Sequence, residues 1–545
     1  MKRKILLTFI LAATLIAIFA ISVSAEVRTY DCSVTLQDNV IAESHYVSYS
    51  HYWFALTGYG NSIPIDIEKV PLWWFINSSK YSYVKISAGI TGIGKNTFSG
   101  FSNLSKVYIS DMKSWCHLNF GNTNANPLAY AENLYLNDVL VEDLIVPNDT
   151  TKISNYAFVG CKSIKSIVIP DSVTYIGELA FKRCDNLKAV QIGSGVTNIS
   201  NSAFDYCYGL ESIVVDENNT EYMSIDGNLY TKDGKTLVKY ATGKTDEEFV
   251  IPYGVTTVDA NAFIGCQNLK KVIIPNSVSL IGDCAFQDCT NLANIAISKS
   301  VTIIGNCAFY NCSSLTNIII PKNVTIIGNH AFYNCSSLTN IIIPKNVTNI
   351  GNYAFWKSLV LTIYVEAESK PRDWQSSWND SNRPVVWGHT HAYEDGVCVC
   401  GMVNGEGYLN EIFAFKGYSF NETGSIAIGF DIDYEAIALY EELTGETLEI
   451  GVVFAGYELL NGQNPLDGQG NVIAIANGFA AKCDLSNYSY TTYDFVLTDI
   501  TEDIRDIPLV IAAYINNGSE TKYVQSNGIS DTVSGITYNE VKENN

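Results

Sequence analysis

The densest group of chemistry-bearing side chains in this sequence is His389-Thr-His391, followed seven residues later by Cys398-Val-Cys400. Imidazole nitrogen and thiolate sulfur are what zinc collects, four at a time, in structural sites. Such sites usually part their paired cysteines by two or more residues, whereas Val399 alone separates these two. The stretch is therefore open to three readings, a zinc site, a disulfide or a linker with no ligand, and the short spacing weighs against the first.

Seven of the 14 cysteines, Cys161, Cys184, Cys207, Cys266, Cys289, Cys312 and Cys335, recur in one slot of a repeated line, a slot that Phe101 and Ser358 also fill. A column of buried thiols is the expectation, although stacked lines would bring neighbouring cysteines within disulfide range in an oxidising setting. Cys284, Cys307, His330 and Tyr353 fill a second slot, shared with Leu179 and Ser202. A metal column, a Cys284–Cys307 disulfide and ordinary variation at an outer turn are its three readings. The remaining histidines, His45, His51 and His117, stand without a paired nucleophile, and no nucleophile elbow, phosphate loop or HExxH is present. Two carboxylates would suffice for glycoside hydrolysis, but a repeat with variable polar positions gives no sign of a pocket. An enzyme is not expected, and neither is a cofactor. Zinc at the cluster above and calcium at Asp431-Ile-Asp433 or Asn464 to Asn471 are the metals to consider, and the latter stretches lack the spacing of a helix–loop–helix calcium loop.

These residues are positioned by a repeat. Residues 312–334 read CSSLTNIIIPKNVTIIGNHAFYN, and 335–357 say nearly the same again. Leu187, Leu210, Leu269, Leu292, Leu315 and Leu338 open matching lines, Ile164 fills the same slot, and weaker lines open at Tyr81, Leu104, Val141 and Asp246. Wherever two lines are adjacent the step is 23 residues, and about eleven rungs follow. In each line Leu-x-x-Ile-x-Ile places positions 1, 4 and 6 on one side of a short strand, which Pro ends by withholding a ladder N–H. Val324, Ile327, Ala331 and Phe332 carry apolar groups around the turn, and Gly328 permits a bend that a side chain would obstruct. One line cannot cover its own apolar edge, but each can cover the next, stacked at about 4.8 Å. Position 5, occupied by Val168, Gln191, Val214, Ile273, Ala296, Ile319 and Ile342, then points outward from the sheet as a stripe for ligand contact, or merely as residues that suit a strand.

The stretch ISKSVTIIGNCAFYNCSSLTNIIIP (residues 297–321) resembles the BspA-like leucine-rich repeat family of secreted and surface proteins, and the resemblance covers roughly residues 81–388. It implies a β-lined solenoid used for adhesion or binding, with no catalytic residues and no one ligand. The cluster at 389–400 resembles small zinc-ribbon-like linkers of secreted bacterial proteins, which usually end in Cys-x-x-Cys.

The fold class expected is thus a β-dominated leucine-rich repeat solenoid followed by a separate mainly-β, sandwich-like module. Lys2-Arg3-Lys4, an apolar run to Ile21 and Val23-Ser24-Ala25 make residues 1–25 a secretory signal peptide. Residues 26–80, rich in Tyr and Trp, read as an N-terminal cap. The solenoid runs over 81–388, with inserts near 110–133 and 216–243 and a C-terminal cap at 359–388 around Trp374, Trp378 and Trp387. Asp233-Gly234 and Asn137-Asp138 mark hairpins within or beside the inserts. A His/Cys linker spans 389–403. The module at 404–545 alternates like strands, with one helix candidate at YEAIALYEELTG, and from residue 402 on it holds 22 acidic against five basic residues.

Losing Lys2, Arg3 and Lys4 would take the net charge from −22 to −25, which disfavours nucleic acid and anionic lipid as partners. The partner expected is an extracellular protein or glycan, the mature chain having no transmembrane span. Secretion or cell-surface display with an adhesin-like binding role is the primary reading. A structural spacer in the cell envelope is the alternative, and a glycan-active hydrolase a more distant one.

Overall fold

The computed structural model describes residues 81–400 apart from 253, 395 and 396, together with the backbone of strands within 32–57 and 413–530. The signal-peptide segment, the side chains of 26–80, the helix candidate near 434–445 and the side chains of the calcium candidates all lie outside what is described. The chain divides into two compact units, residues 1–141 and 142–545. Among the described residues, no helix is long and apolar enough to cross a membrane.

The first unit holds one seven-stranded sheet ordered Cys32–Thr35, Ile41–Ser48, His51–Thr57, Tyr81–Ile86, Lys106–Ile109, Leu134–Leu136 and Val139–Leu140. Its first three strands are antiparallel, and parallel pairing then runs from His51–Thr57 through Leu134–Leu136. The segment expected as an irregular insert therefore ends in a further rung, which the sequence hides because Leu134-Tyr-Leu lacks the Ile-Pro ending. Ahead of it lie two helices, Met112–His117, begun by Asp111 accepting from the Ser114 N–H at 2.7 Å, and Leu128–Ala131. Asn137 and Asp138, at φ 50° and 67°, turn the chain tightly into the antiparallel Val139–Leu140, as the hairpin signal predicts.

In the second unit every rung contributes up to three columns of backbone hydrogen bonds. The first is a parallel sheet of the Leu-x-x-Ile-x-Ile strands: Asp143–Ile145, Ser166–Ile169, Ala189–Ile192 and Ser212–Val215 pair in strict register. A second set of two-residue strands, such as Leu280–Ile281, Ile303–Ile304, Ile326–Ile327 and Asn349–Ile350, stacks the Val-x-x-Ile-Gly part. The third column lies in the Ala-Phe-x-x-Cys turn. There the N–H groups of Cys307, Phe309 and Asn311 reach the carbonyls of Asn329, Ala331 and Tyr333 on the next rung at 2.7–2.8 Å. Left-handed backbone at Cys307 and Asn311, φ 53° and 60°, aims these alternate amides along the solenoid.

Side chains stack on their own equivalents. Phe263, Phe286, Phe309, Phe332 and Phe355 lie almost parallel at ring separations of 4.7–5.7 Å, all buried. The column ends edge-on against Trp378, which with Trp374 is buried while Trp387 stays partly exposed. Leu315, Ile318 and Ile320 are buried, as positions 1, 4 and 6 require. Two further strands, Thr362–Val365 and Val385–Trp387, extend the parallel sheet past the last regular line.

The second insert is a meander of Tyr222–Ile225, Asn228–Thr231 and Thr236–Lys239, turning at Asp233-Gly234. Its last strand enters the stack parallel to Thr257–Val258. It is pinned by Lys239, whose buried ammonium meets the Asp205 carboxylate at 2.9 Å and donates to the Asn261 carbonyl at 2.9 Å. Beyond residue 412 the strands form two antiparallel sheets, one of three strands and one of five.

The glycine of Ile-Gly has another reason than the bend expected of it. A Cβ on Gly328 would lie 2.5 Å from the Asn306 nitrogen and 2.6 Å from the Gly305 carbonyl carbon, and Gly282, Gly305 and Gly351 are pressed in the same way. The constraint is the close approach of the previous rung. Gly328→Ala is accordingly expected to cost about 1–3 kcal/mol through forced separation of two rungs, measured as a fall in the urea midpoint. An unchanged midpoint would show that the rungs do not touch there.

Candidate functional site

The cysteine column is built to be inert. Each thiol is fully buried, and those of Cys184, Cys207, Cys289, Cys312 and Cys335 donate to a phenylalanine carbonyl of the preceding rung at 3.1–3.2 Å. Ser358 makes the same bond to the Phe332 carbonyl at 2.8 Å, which explains why the slot accepts a hydroxyl. Burial pushes the thiols of Cys207 and Cys335 up to about 12. No disulfide joins cysteines among the described residues.

In the second slot, Cys284 and Cys307 are half-buried thiols in contact. Hydrogen bonding between them raises the pKa of Cys284 and lowers that of Cys307. His330 stacks on Tyr353 at 5.4 Å. All four residues have positive φ, 53–56°, so the slot is a left-handed turn position in the third backbone column.

The outward stripe splits in two. Ile145, Val168, Gln191 and Val214 stand side by side in register, all exposed, with Ile145 at 70% and Val214 at 52%. Position 5 is covered farther along: Ile273, Ala296 and Ile342 are buried and Ile319 is partly so. A uniformly exposed stripe is thus corrected to an open N-terminal row. Strand alternation sets which way a side chain points, but not what later chain lies over it.

At the far end the covering is visible. Cys398 and Cys400 pack with Ile342 and Tyr364, and Ile319 lies against the group. The short hairpin Tyr393–Glu394 with Val397–Cys398 carries the two cysteines there. His389 is tied to the sheet by its N–H to the Val365 carbonyl at 2.9 Å, and its ring sits 4.8 Å from that of Tyr364. His389 Nε2 then lies 3.6 Å from Cys398 Sγ, and His391 Nδ1 3.5 Å from Cys400 Sγ. All four ligand atoms fall within 4.8 Å of one another, the one such grouping of three or more among the described residues. Burial holds both imidazoles below their ordinary pKa, so they are neutral near pH 7. The sequence brings these residues together, and the structure shows both cysteines as thiols, not a disulfide.

One site escapes sequence reading altogether. Tyr206 donates to Asp288 at 2.7 Å and accepts from Gln287 Nε2 at 2.8 Å, across 82 and 81 residues of chain. Tyr206 and Asp288, with Lys182, Arg183, Tyr208 and Gln267, border a cleft of about 360 Å³. The Lys182 ammonium stands 5.3 Å from the centre of the Tyr206 ring.

Six copies of the BspA type leucine-rich repeat region match residues 32–136, 130–226 and 240–362, more than half of the chain. Among solved structures, a leucine-rich cell surface protein of Faecalibacterium prausnitzii is 25% identical, covering 68% of this chain and all of its own at a TM-score of 0.43. A leucine-rich repeat protein of Eubacterium ventriosum is 21% identical over 67% of this chain and 97% of its own, with a TM-score of 0.45. The pneumococcal vaccine antigen PcpA is 16% identical over 67% of this chain and 100% of its own, with a TM-score of 0.38. No curated protein matches significantly.

Two outcomes are expected. Cys207 and Cys335 favour the protonated form in the fold, so their stabilisation is complete below the ordinary thiol value near 9 and is lost as pH rises toward about 12. The urea midpoint should therefore fall above pH 9, and less steeply in Cys207→Ser; equal slopes would detach the column from the alkaline loss. Along the stripe, Val214→Lys should change stability by no more than about 0.5 kcal/mol. Ile273→Lys, at the equivalent position, should lower the thermal midpoint markedly because its charge has no water to reach. Similar midpoints for the two would mean the stripe is evenly exposed.

Proposed function

The chain belongs to the BspA-type leucine-rich repeat family, and on that premise we propose that it acts at or outside a bacterial cell surface. There it binds a macromolecular ligand, protein or glycan, in an adhesin-like and non-catalytic way. The observation that carries this reading is the open row of Ile145, Val168, Gln191 and Val214. Ile145, Val168 and Val214, with Gln191 between the last two, stand on four adjacent parallel strands spaced about 4.8 Å apart and form an exposed patch that the core does not need. Their backbone is fixed by strand pairing, so little ordering is left to oppose association. The acidic balance points away from nucleic acid.

The test is an array of glycans and matrix proteins probed with the full chain, repeated with the double variant Val168→Lys/Val214→Lys. Binding should fall at least about tenfold while the thermal midpoint stays near its original value, since exposed changes move stability by only about ±0.5 kcal/mol. Undiminished binding by the double variant would move the site off this row, with the Tyr206 cleft the next place to look. A chain that binds nothing on the array and stays fixed in the envelope fraction would support the spacer reading instead.

A further inference from the structure

We propose that His389, His391, Cys398 and Cys400 form a structural zinc site that clamps the linker hairpin onto the outer sheet face at the C-terminal end of the solenoid. With zinc–sulfur bonds of about 2.3 Å and zinc–nitrogen bonds of about 2.0–2.1 Å, the sulfur–nitrogen edge of a tetrahedron is about 3.6 Å. The two sulfur–nitrogen pairs here measure 3.6 and 3.5 Å, and all four atoms lie within 4.8 Å. A thiol–imidazole hydrogen bond would explain either pair alone. It gives no reason for the two pairs to converge, whereas one ion with four ligands requires it.

The surroundings suit such an ion. Among the described residues, Ile342, Tyr364 and the partly buried Ile319 pack with the two cysteines. In small structural elements metal binding adds stabilisation that burial alone does not supply. Outer contacts already orient the ligands. The Tyr364 hydroxyl donates to the Val399 carbonyl between the cysteines at 3.3 Å, and His389 is held from behind by its backbone bond to Val365. The one-residue cysteine spacing is accommodated because the histidines come from the strand end and the cysteines from the hairpin. Each arm then supplies two corners, and neither has to wrap the ion alone. Two thiolates and two neutral imidazoles also leave no position open for water, which marks the site as structural, not catalytic.

The full chain, equilibrated with zinc sulfate and then passed into metal-free buffer, should retain one zinc per molecule by mass-spectrometric metal analysis. Zinc content should drop about tenfold or more in Cys398→Ser/Cys400→Ser and in His389→Ala/His391→Ala. The cobalt-loaded chain should show thiolate-to-metal charge transfer that the cysteine double variant loses. On the unmodified chain, where no variant can misfold, a strong chelator should speed amide exchange at Ile342 and Tyr364 while the Phe309 region stays protected. The proposal is overturned by a chain that retains no stoichiometric zinc, by double variants that retain as much zinc as the unmodified chain, or by a Cys398–Cys400 disulfide seen as a loss of two hydrogens in the intact mass.

Discussion

A rung of this solenoid has no apolar interior of its own, so every other feature depends on each residue resting on its equivalent one turn earlier. Strand pairing enforces that register: Ser166 faces Ala189, which faces Ser212. A side chain must then be compatible with a copy of itself. Phenylalanine stacks on phenylalanine at 5.3 Å. Asparagine donates to asparagine, as Asn329 does to Asn306 at 3.0 Å and Asn334 to Asn311 at 2.7 Å. Opposite charges also meet in these columns, so Lys165 sits on Glu142, Lys188 under Glu211 and Lys270 on Glu247, while Lys165 and Lys188 are themselves neighbours. These exposed pairs add little stability individually.

The columns show how much of this was legible beforehand. Leu315, Ile318 and Ile320 could be assigned inward from their spacing alone, because strand alternation is local. The turns at Asp233-Gly234 and Asn137-Asp138 were legible for the same reason, since turn chemistry is written in adjacent residues. The reason for Gly328 was not: its constraint is a backbone 23 residues away, which no local rule contains. Nor was the covering of Ile342, which depends on chain that has already left the repeat. The cleft joining Tyr206 to Asp288 is the extreme case, because 82 residues of chain, the insert among them, separate the two in sequence.

That insert also shows the cost of breaking the pattern. A regular rung needs no buried charge, yet where the meander enters, Lys239 and Asp205 are paired with 2% and 5% of their side chains exposed. Burial raises the Asp205 pKa while the lysine opposes the rise, so the pair holds only while both partners stay. Replacing one alone leaves an uncompensated charge in the interior, typically a loss of about 3–5 kcal/mol. The irregular element is thus fixed by a specific interaction, where the regular ones are fixed by repetition.

The self-fitting columns bear on how such a chain changes over generations. Residues 312–334 and 335–357 are nearly the same text, and an extra copy of that text placed between them would meet, above and below, surfaces it already matches. Phenylalanine, asparagine and cysteine columns would each gain one member, with no neighbour asked to adapt. Duplication of a short stretch of coding DNA can therefore lengthen the protein in whole turns without a compensating mutation. The two near-identical lines have the form such an event leaves. Of their four differences, Asn349 for Ile326, Tyr353 for His330 and Lys357 for Asn334 fall at exposed or partly exposed positions, and Trp356 for Tyr333 exchanges one aromatic ring for another.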